Sequence, residues 1–143
     1  MAKRYTFEDL VASFRVEDDG GAYALVDRAR QGVTFADFDL VFGKAFFTLE
    51  EWAHMLHISR RTLERYRSHA QTFDTPQSER IMQIALLLQR GASVFGSYAA
   101  FHAWLAAENV AMGGVKPQFL LDNVFGIELV KDALLRIEHG VLA

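Results

Sequence analysis

The stretch HISRRTLERYRS, residues 57–68, sets Arg60, Arg61, Arg65 and Arg67 within one short segment of an acidic chain. Guanidinium groups at this density pair with phosphate oxygens or, bidentately, with the O6/N7 edge of guanine. Ser59 and Thr62 add hydroxyls that can take phosphate oxygens, as a helix N-terminus does. Residues 58–68 hold four Arg and one Glu, whereas the whole chain holds 15 Lys+Arg against 18 Asp+Glu. Any nucleic-acid contact must therefore be local and work against the field of the remaining protein. The same residues on an exposed helix face serve solubility alone, so both readings stand at this point.

The other reactive residue types lead nowhere comparable. With no cysteine, disulfides, thiolate catalysis and Cys-based zinc sites are all excluded. His54 and His57 are three apart but lack a third ligand nearby, and a zinc site needs three or four converging ligands. His69, His102 and His139 are scattered and read as solvent-facing or hydrogen-bonded imidazoles. Glu50/Glu51 and Asp18/Asp19 are adjacent in sequence, so on a helix they diverge and make no general acid–base pair. FGSYA and AMGGV offer small residues without the Lys-Ser/Thr of a phosphate-binding loop. The expectation is no enzyme, no metal and no cofactor.

The apolar spacing that positions these residues is helical almost throughout. Phe7, Leu10, Val11 and Phe14 follow a capping box of Thr6 and Asp9. RVEDDGGA then reads as a loop or hinge, and residues 22–31 as a short helix ending at Gly32. Thr34 with Asp37 caps a helix carrying Phe35, Phe38, Phe42 and Ala45, and Thr48 with Glu51 starts the next. Ser59 caps a fourth helix running to about Ala70. After TFDTP, Thr75 is the expected cap, with Pro76 at the first helical position. The helix of Ile81, Ile84, Ala85 and Leu88 is expected to close at Gly91. Val94, Tyr98, Phe101 and Leu105 mark another helix, ENVAMGG a turn, and Pro117 a short helix through Leu121. Gly126 is expected to separate this from a last helix with Ile127, Val130, Leu134, Ile137 and Val141 on one side. No β-alternation and no internal repeat is found. The fold class is all-α, with a seam near residues 71–75.

Residues 48–66, TLEEWAHMLHISRRTLERY, have the layout of a helix-turn-helix. Trp52, Ala53 and Leu56 face inward from the first helix, and Ile58 plugs the angle between the two. Leu63 and Tyr66 anchor the second, leaving Ser59, Arg60, Arg61, Thr62, Arg65 and Arg67 outward as the DNA-facing set. His57 occupies a turn position that often holds glycine, which tolerates a left-handed backbone more readily. In an acidic protein, useful affinity calls for a dimer with two such helices about 34 Å apart.

The C-terminal half runs in a distinctive order: Trp104-Leu105, Asn109, Gly113-Gly114, Pro117, Gly126 and Ile137-Glu138-His139-Gly140. At these spacings it resembles the toxin-binding domain of the Xre/MbcA/ParS antitoxins, and the likeness includes the helix-turn-helix of residues 34–70. The resemblance implies an all-α antitoxin of a type II toxin–antitoxin pair. An Xre-like helix-turn-helix subdomain would precede a helical toxin-binding subdomain. The implied partner is a RES-domain toxin that degrades NAD or transfers ADP-ribose, with the antitoxin covering its NAD pocket. Homodimerisation, and binding to the operon's own promoter DNA, are further implications. Toxin contacts are expected at Asn109, Gly113, Gly114, Lys116, Pro117, Gly126, Arg136, Glu138, His139, Gly140, Val141, Leu142 and Ala143.

The expected boundaries are an N-terminal arm at 1–20, the helix-turn-helix and dimerisation domain at 21–73, and the antitoxin domain at 74–143. The arm lies outside the likeness and receives no role. On the residues alone, the apolar tip GVLA beyond Glu138 is unusual, because a tail with nothing to bind is normally more polar. With the terminal carboxylate and Glu138 it could enter an electropositive nucleotide pocket. No run reaches the ~18 apolar residues of a membrane span, and the expected location is the cytoplasm. The alternative is a helix-turn-helix transcriptional regulator whose C-terminal part is a ligand or dimerisation module. A third reading keeps the helix-turn-helix for dimerisation only.

Overall fold

The computed structural model describes residues 6–14 and 19–140. Among them are eight α-helices and two 3₁₀ turns, with no strand beyond an isolated Asn109–Val115 bridge. The chain divides into two compact units, Met1–Leu86 and Leu87–Ala143.

In the first unit, helix α1 (Phe7–Ala12) starts on the expected capping box. The Asp9 amide donates to Thr6 Oγ1 at 3.1 Å, and the Thr6 amide to Asp9 Oδ2 at 3.0 Å. Phe7, Leu10, Val11 and Phe14 are all buried. Each such side chain contributes about 1.5–3 kcal/mol, so this part of the arm is an integral piece of the core. Helix α2 (Asp19–Gln31) starts earlier than the glycines suggested: Gly20 and Gly21 lie in its first turn. The rest of the expected loop, residues 15–18, lies outside the described residues. Gly32 ends α2 with φ +90°, and a Cβ there would lie 2.5 Å from the Phe73 carbonyl oxygen.

Helix α3 (Phe35–Ala45) is capped by Thr34, α4 (Leu49–Met55) by the Thr48/Glu51 box, and α5 (Arg60–Ser68) by Ser59, as their sequences imply. Helix α6 (Thr75–Phe95) departs from expectation at both ends. Its cap is Asp74, whose Oδ1 accepts from the Gln77 amide at 2.8 Å while the Asp74 amide donates to Gln77 Oε1 at 3.1 Å. Gly91 does not close it. It is buried mid-helix because a Cβ would sit 2.2 Å from the Phe101 ring.

Phe38 meets Trp52 edge-on at 5.0 Å, and Phe73 lies 5.1 Å from Phe38, 5.9 Å from Phe35 and 5.4 Å from Tyr66. Fully buried Ser78 closes this core: its hydroxyl accepts from the Val33 amide at 2.8 Å and donates to the Phe73 carbonyl at 3.2 Å. These bonds explain why the TFDTP turn is not the division between the units. The first part of α6 completes the first unit, and the division falls inside the helix.

In the second unit, Ser97 caps α7 (Tyr98–Ala106) and Asn123 caps α8 (Val124–Glu138). Two 3₁₀ turns, Val110–Met112 and Pro117–Leu120, lie between them. The Pro117 segment is thus tighter than an α-helix, as short connectors often are. Gly126 belongs to α8 rather than preceding it. Its amide donates to Asn123 Oδ1 at 2.9 Å, and a Cβ would come within 1.7 Å of the Leu120 carbonyl oxygen. Phe101, Leu105, Leu121, Ile127, Val130 and Leu134 form the core. Phe101 stacks on Trp104 at 6.0 Å.

Candidate binding surfaces

The first surface is the helix-turn-helix made by α4 and α5. Trp52, Ala53, Leu56 and Leu63 are buried as expected, while Ile58 and Tyr66 are half-buried. His57 adopts φ +59° in the turn, a left-handed conformation that costs a non-glycine residue of order 1 kcal/mol. The Ile58 amide reaches back to the Ala53 carbonyl at 3.0 Å and keeps the turn tight.

The arginines of α5 separate into three groups. Arg60 is held by Glu50 at 3.0 Å and Glu64 at 3.1 Å, and these carboxylates raise its pKa further, Glu64 more than Glu50. Arg67 lies over the Phe35 ring at 6.0 Å and exerts an attraction on Asp39, whose carboxyl is nevertheless pushed up by desolvation. Arg61 and Arg65 are exposed, and no carboxylate among the described residues pairs with them. With Thr62, Ser68 and His69 they line a shallow depression. Ser59 and Thr62 are joined by a 2.9 Å hydroxyl bond, and the Thr62 amide donates to Ser59 Oγ.

Of the six expected DNA-facing residues, Arg61, Thr62 and Arg65 therefore share one cationic face. Ser59 and Arg60 are engaged within the fold, and Arg67 leans on a ring of α3. Ser68 and His69 join the face without having been anticipated. The i, i+4, i+8 spacing from Arg61 through Arg65 to His69 was the available signal.

The second surface belongs to the second unit. Asn109 organises the loop that follows α7. Its amide donates to the Val115 carbonyl at 3.1 Å, and its own carbonyl accepts from Met112 at 3.0 Å and Gly114 at 2.8 Å. Its side-chain Oδ1 accepts from Ala111 at 2.9 Å. Gly113 and Gly114 take φ +83° and +79°, values that strain any L side chain. Val110, at the head of this loop, is 94% exposed.

The expected toxin-facing residues scatter. Asn109 and Lys116 are half-buried, and Gly113, Gly114, Arg136, His139 and Gly140 are exposed. Pro117 and Gly126 are buried, so their influence on a partner runs through the shape they impose. The Glu138 carboxylate is bound by Arg90. Val141, Leu142 and Ala143 lie outside the described residues. Sequence reasoning missed the exposed apolar side chains Phe119, Val124, Phe125 and Leu129, which accompany Val110 and Val115. Their signal was apolar character off the buried stripe of Gly126, Ile127, Val130, Ala133 and Leu134.

Among the described residues, no three His, Asp or Glu side chains converge to hold a metal ion, and no helix is long and apolar enough to cross a membrane.

Comparison with known proteins follows the same division. Residues 24–85 match the model of the antitoxin Xre-like helix-turn-helix domain, and residues 90–140 that of the antitoxin Xre/MbcA/ParS C-terminal toxin-binding domain. Antitoxin Xre of Yersinia enterocolitica is 28% identical over 120 residues, covering 83% of this chain and 81% of that protein. With an all-helical fold whose two units each contain one of the two matched segments, this chain belongs to the Xre/MbcA/ParS family of antitoxins.

Proposed function

We propose that this antitoxin neutralises a RES-domain toxin, one that degrades NAD or transfers ADP-ribose, by seating its second unit over the toxin's NAD pocket. The observation that carries the reading is the concentration of exposed apolar side chains in residues 110–129, inside the segment that matches a toxin-binding domain. The tail from His139 onward is the plug. For Glu138 to meet an arginine in the toxin's pocket, it must be shared with or released by Arg90. Such an exposed pair is worth under about 1 kcal/mol, so release is cheap.

Homodimerisation runs through the first unit. What supports it is an apolar groove lined by Leu25, Val26, Ala29, Met82 and Leu86, with Glu79 and Gln83 completing the lining. Two copies joined there would present two α5 helices to the operon's own promoter, with Arg61, Thr62 and Arg65 meeting the DNA and Ser59, Arg60 and Arg67 supporting them. The expected location remains the cytoplasm.

The test is an NAD-consumption assay with the purified toxin of the same operon. Full-length chain suppresses turnover at equimolar dose. A chain lacking residues 139–143 still copurifies with the toxin, yet NAD consumption returns. Full suppression by the truncated chain removes the plug from the account, and absence of any complex with the full-length chain removes the toxin assignment itself.

A further inference from the structure

The geometry points to Val110 and Phe125 as the anchors of an apolar grip on the toxin, separate from the C-terminal tail. This inference rests on the toxin-binding reading above and names the surface that does the holding.

The first observation is the construction of the loop. Asn109 gathers four hydrogen bonds, two consecutive glycines take left-handed conformations, and the Gly113 amide closes on the Val110 carbonyl at 3.2 Å. All this constraint surrounds a valine that buries almost nothing in its own fold. A β-branched side chain on a fixed backbone has little conformational freedom left to lose, so it binds at low entropic cost.

The second observation lies in the Pro117–Leu120 turn and the first half of α8. Phe125 is 80% exposed, Phe119 56% and Leu129 51%. Phe125 and Leu129 are four apart on α8 and so share one face, and the 3₁₀ turn carrying Phe119 packs against that helix. Single exposed apolar residues are ordinary, but a group rich in aromatics marks a contact surface.

The third observation identifies the occupant. All of these residues lie within the segment matching a toxin-binding domain, whereas the exposed Tyr23, Val26 and Phe46 lie outside it. The flanking charges nearly cancel. Glu108, Asp122, Glu128 and Asp132 stand against Lys116, Lys131 and Arg136, and Lys131 already pairs with Glu128 at 3.2 Å. The fitting partner is therefore a toxin face with apolar sockets for a valine and a phenyl ring, met by a segment whose own charges nearly cancel.

The experiment measures binding of the full chain to the purified RES-domain toxin of its operon. Val110→Asp and Phe125→Asp are made singly and together, with Tyr23→Asp as control, and far-UV dichroism and melting verify the fold. Anchor residues of this kind weaken binding about 30-fold or more each, and the double variant should lose the complex at micromolar concentration. Tyr23→Asp should bind as the parent does. A double variant that binds the toxin as tightly as the parent overturns the inference while leaving the toxin assignment intact. So does a double variant that loses only its own dimerisation, since the surface would then join copies of this chain. If the parent itself fails to bind the toxin, both readings fall.

Discussion

The two units treat their apolar residues in opposite ways. The first encloses Phe14, Phe38, Trp52 and Phe73 almost completely, and its most distinctive exposed feature is the cationic face of Arg61 and Arg65. The second, though smaller, holds seven of the ten large apolar side chains that are exposed among the described residues. The first unit completes its own core and offers charge. The second completes a minimal core and leaves apolar surface for something else to cover. On the proposed reading, DNA and a toxin call for these two different chemistries, one from each unit.

The sharpest way to break this contrast is to truncate a ring in each unit. Phe38→Ala should cost about 3–5 kcal/mol in chemical denaturation, because a fully buried ring leaves a cavity. Phe125→Ala should change stability by less than about 0.5 kcal/mol, as surface substitutions usually do. Equal losses would mean that Phe125 belongs to the fold rather than to a partner. Next in size is Gly91→Ala, which drives a methyl group into the Phe101 ring and should cost about 1–3 kcal/mol. Ser78→Ala strips the Val33 amide of its buried acceptor and should cost a similar amount, roughly 1–3 kcal/mol, read from the denaturation midpoint. The smallest effect concerns DNA. Arg61→Ala with Arg65→Ala should flatten the salt dependence of promoter binding by about two logarithmic units of slope if both touch phosphate. Arg60→Ala should alter it far less, because Glu50 and Glu64 already hold that guanidinium. A dominant effect of Arg60 would reverse the assignment of the face.

What could be read in the sequence follows the range of the forces involved. The caps at Thr6, Thr34, Thr48 and Ser59 were legible because a hydroxyl and the amide three residues on satisfy each other locally. The inward set of the helix-turn-helix was legible from its spacing. Gly91 and Gly126 were misread as helix punctuation because a glycine looks the same whether it ends a helix or admits a neighbour. Only Phe101 and the Leu120 carbonyl, distant or in another element, decide between these uses. The division inside α6 depended on a bond between Ser78 and Val33, 45 residues apart, which no periodicity announces. The exposed anchors were missed for a related reason. Val110 and Phe125 are apolar like their buried neighbours, and only the folded arrangement shows which of them found no cover.

The most direct measurement is the affinity of full-length chain for its toxin across a salt series. Grip by a nearly neutral apolar surface predicts an affinity that changes less than about threefold between roughly 0.05 and 0.5 M salt, where exposed charge pairs are largely screened. A loss of about tenfold or more over that range would place the recognition on charge and contradict the division of labour drawn between the two units.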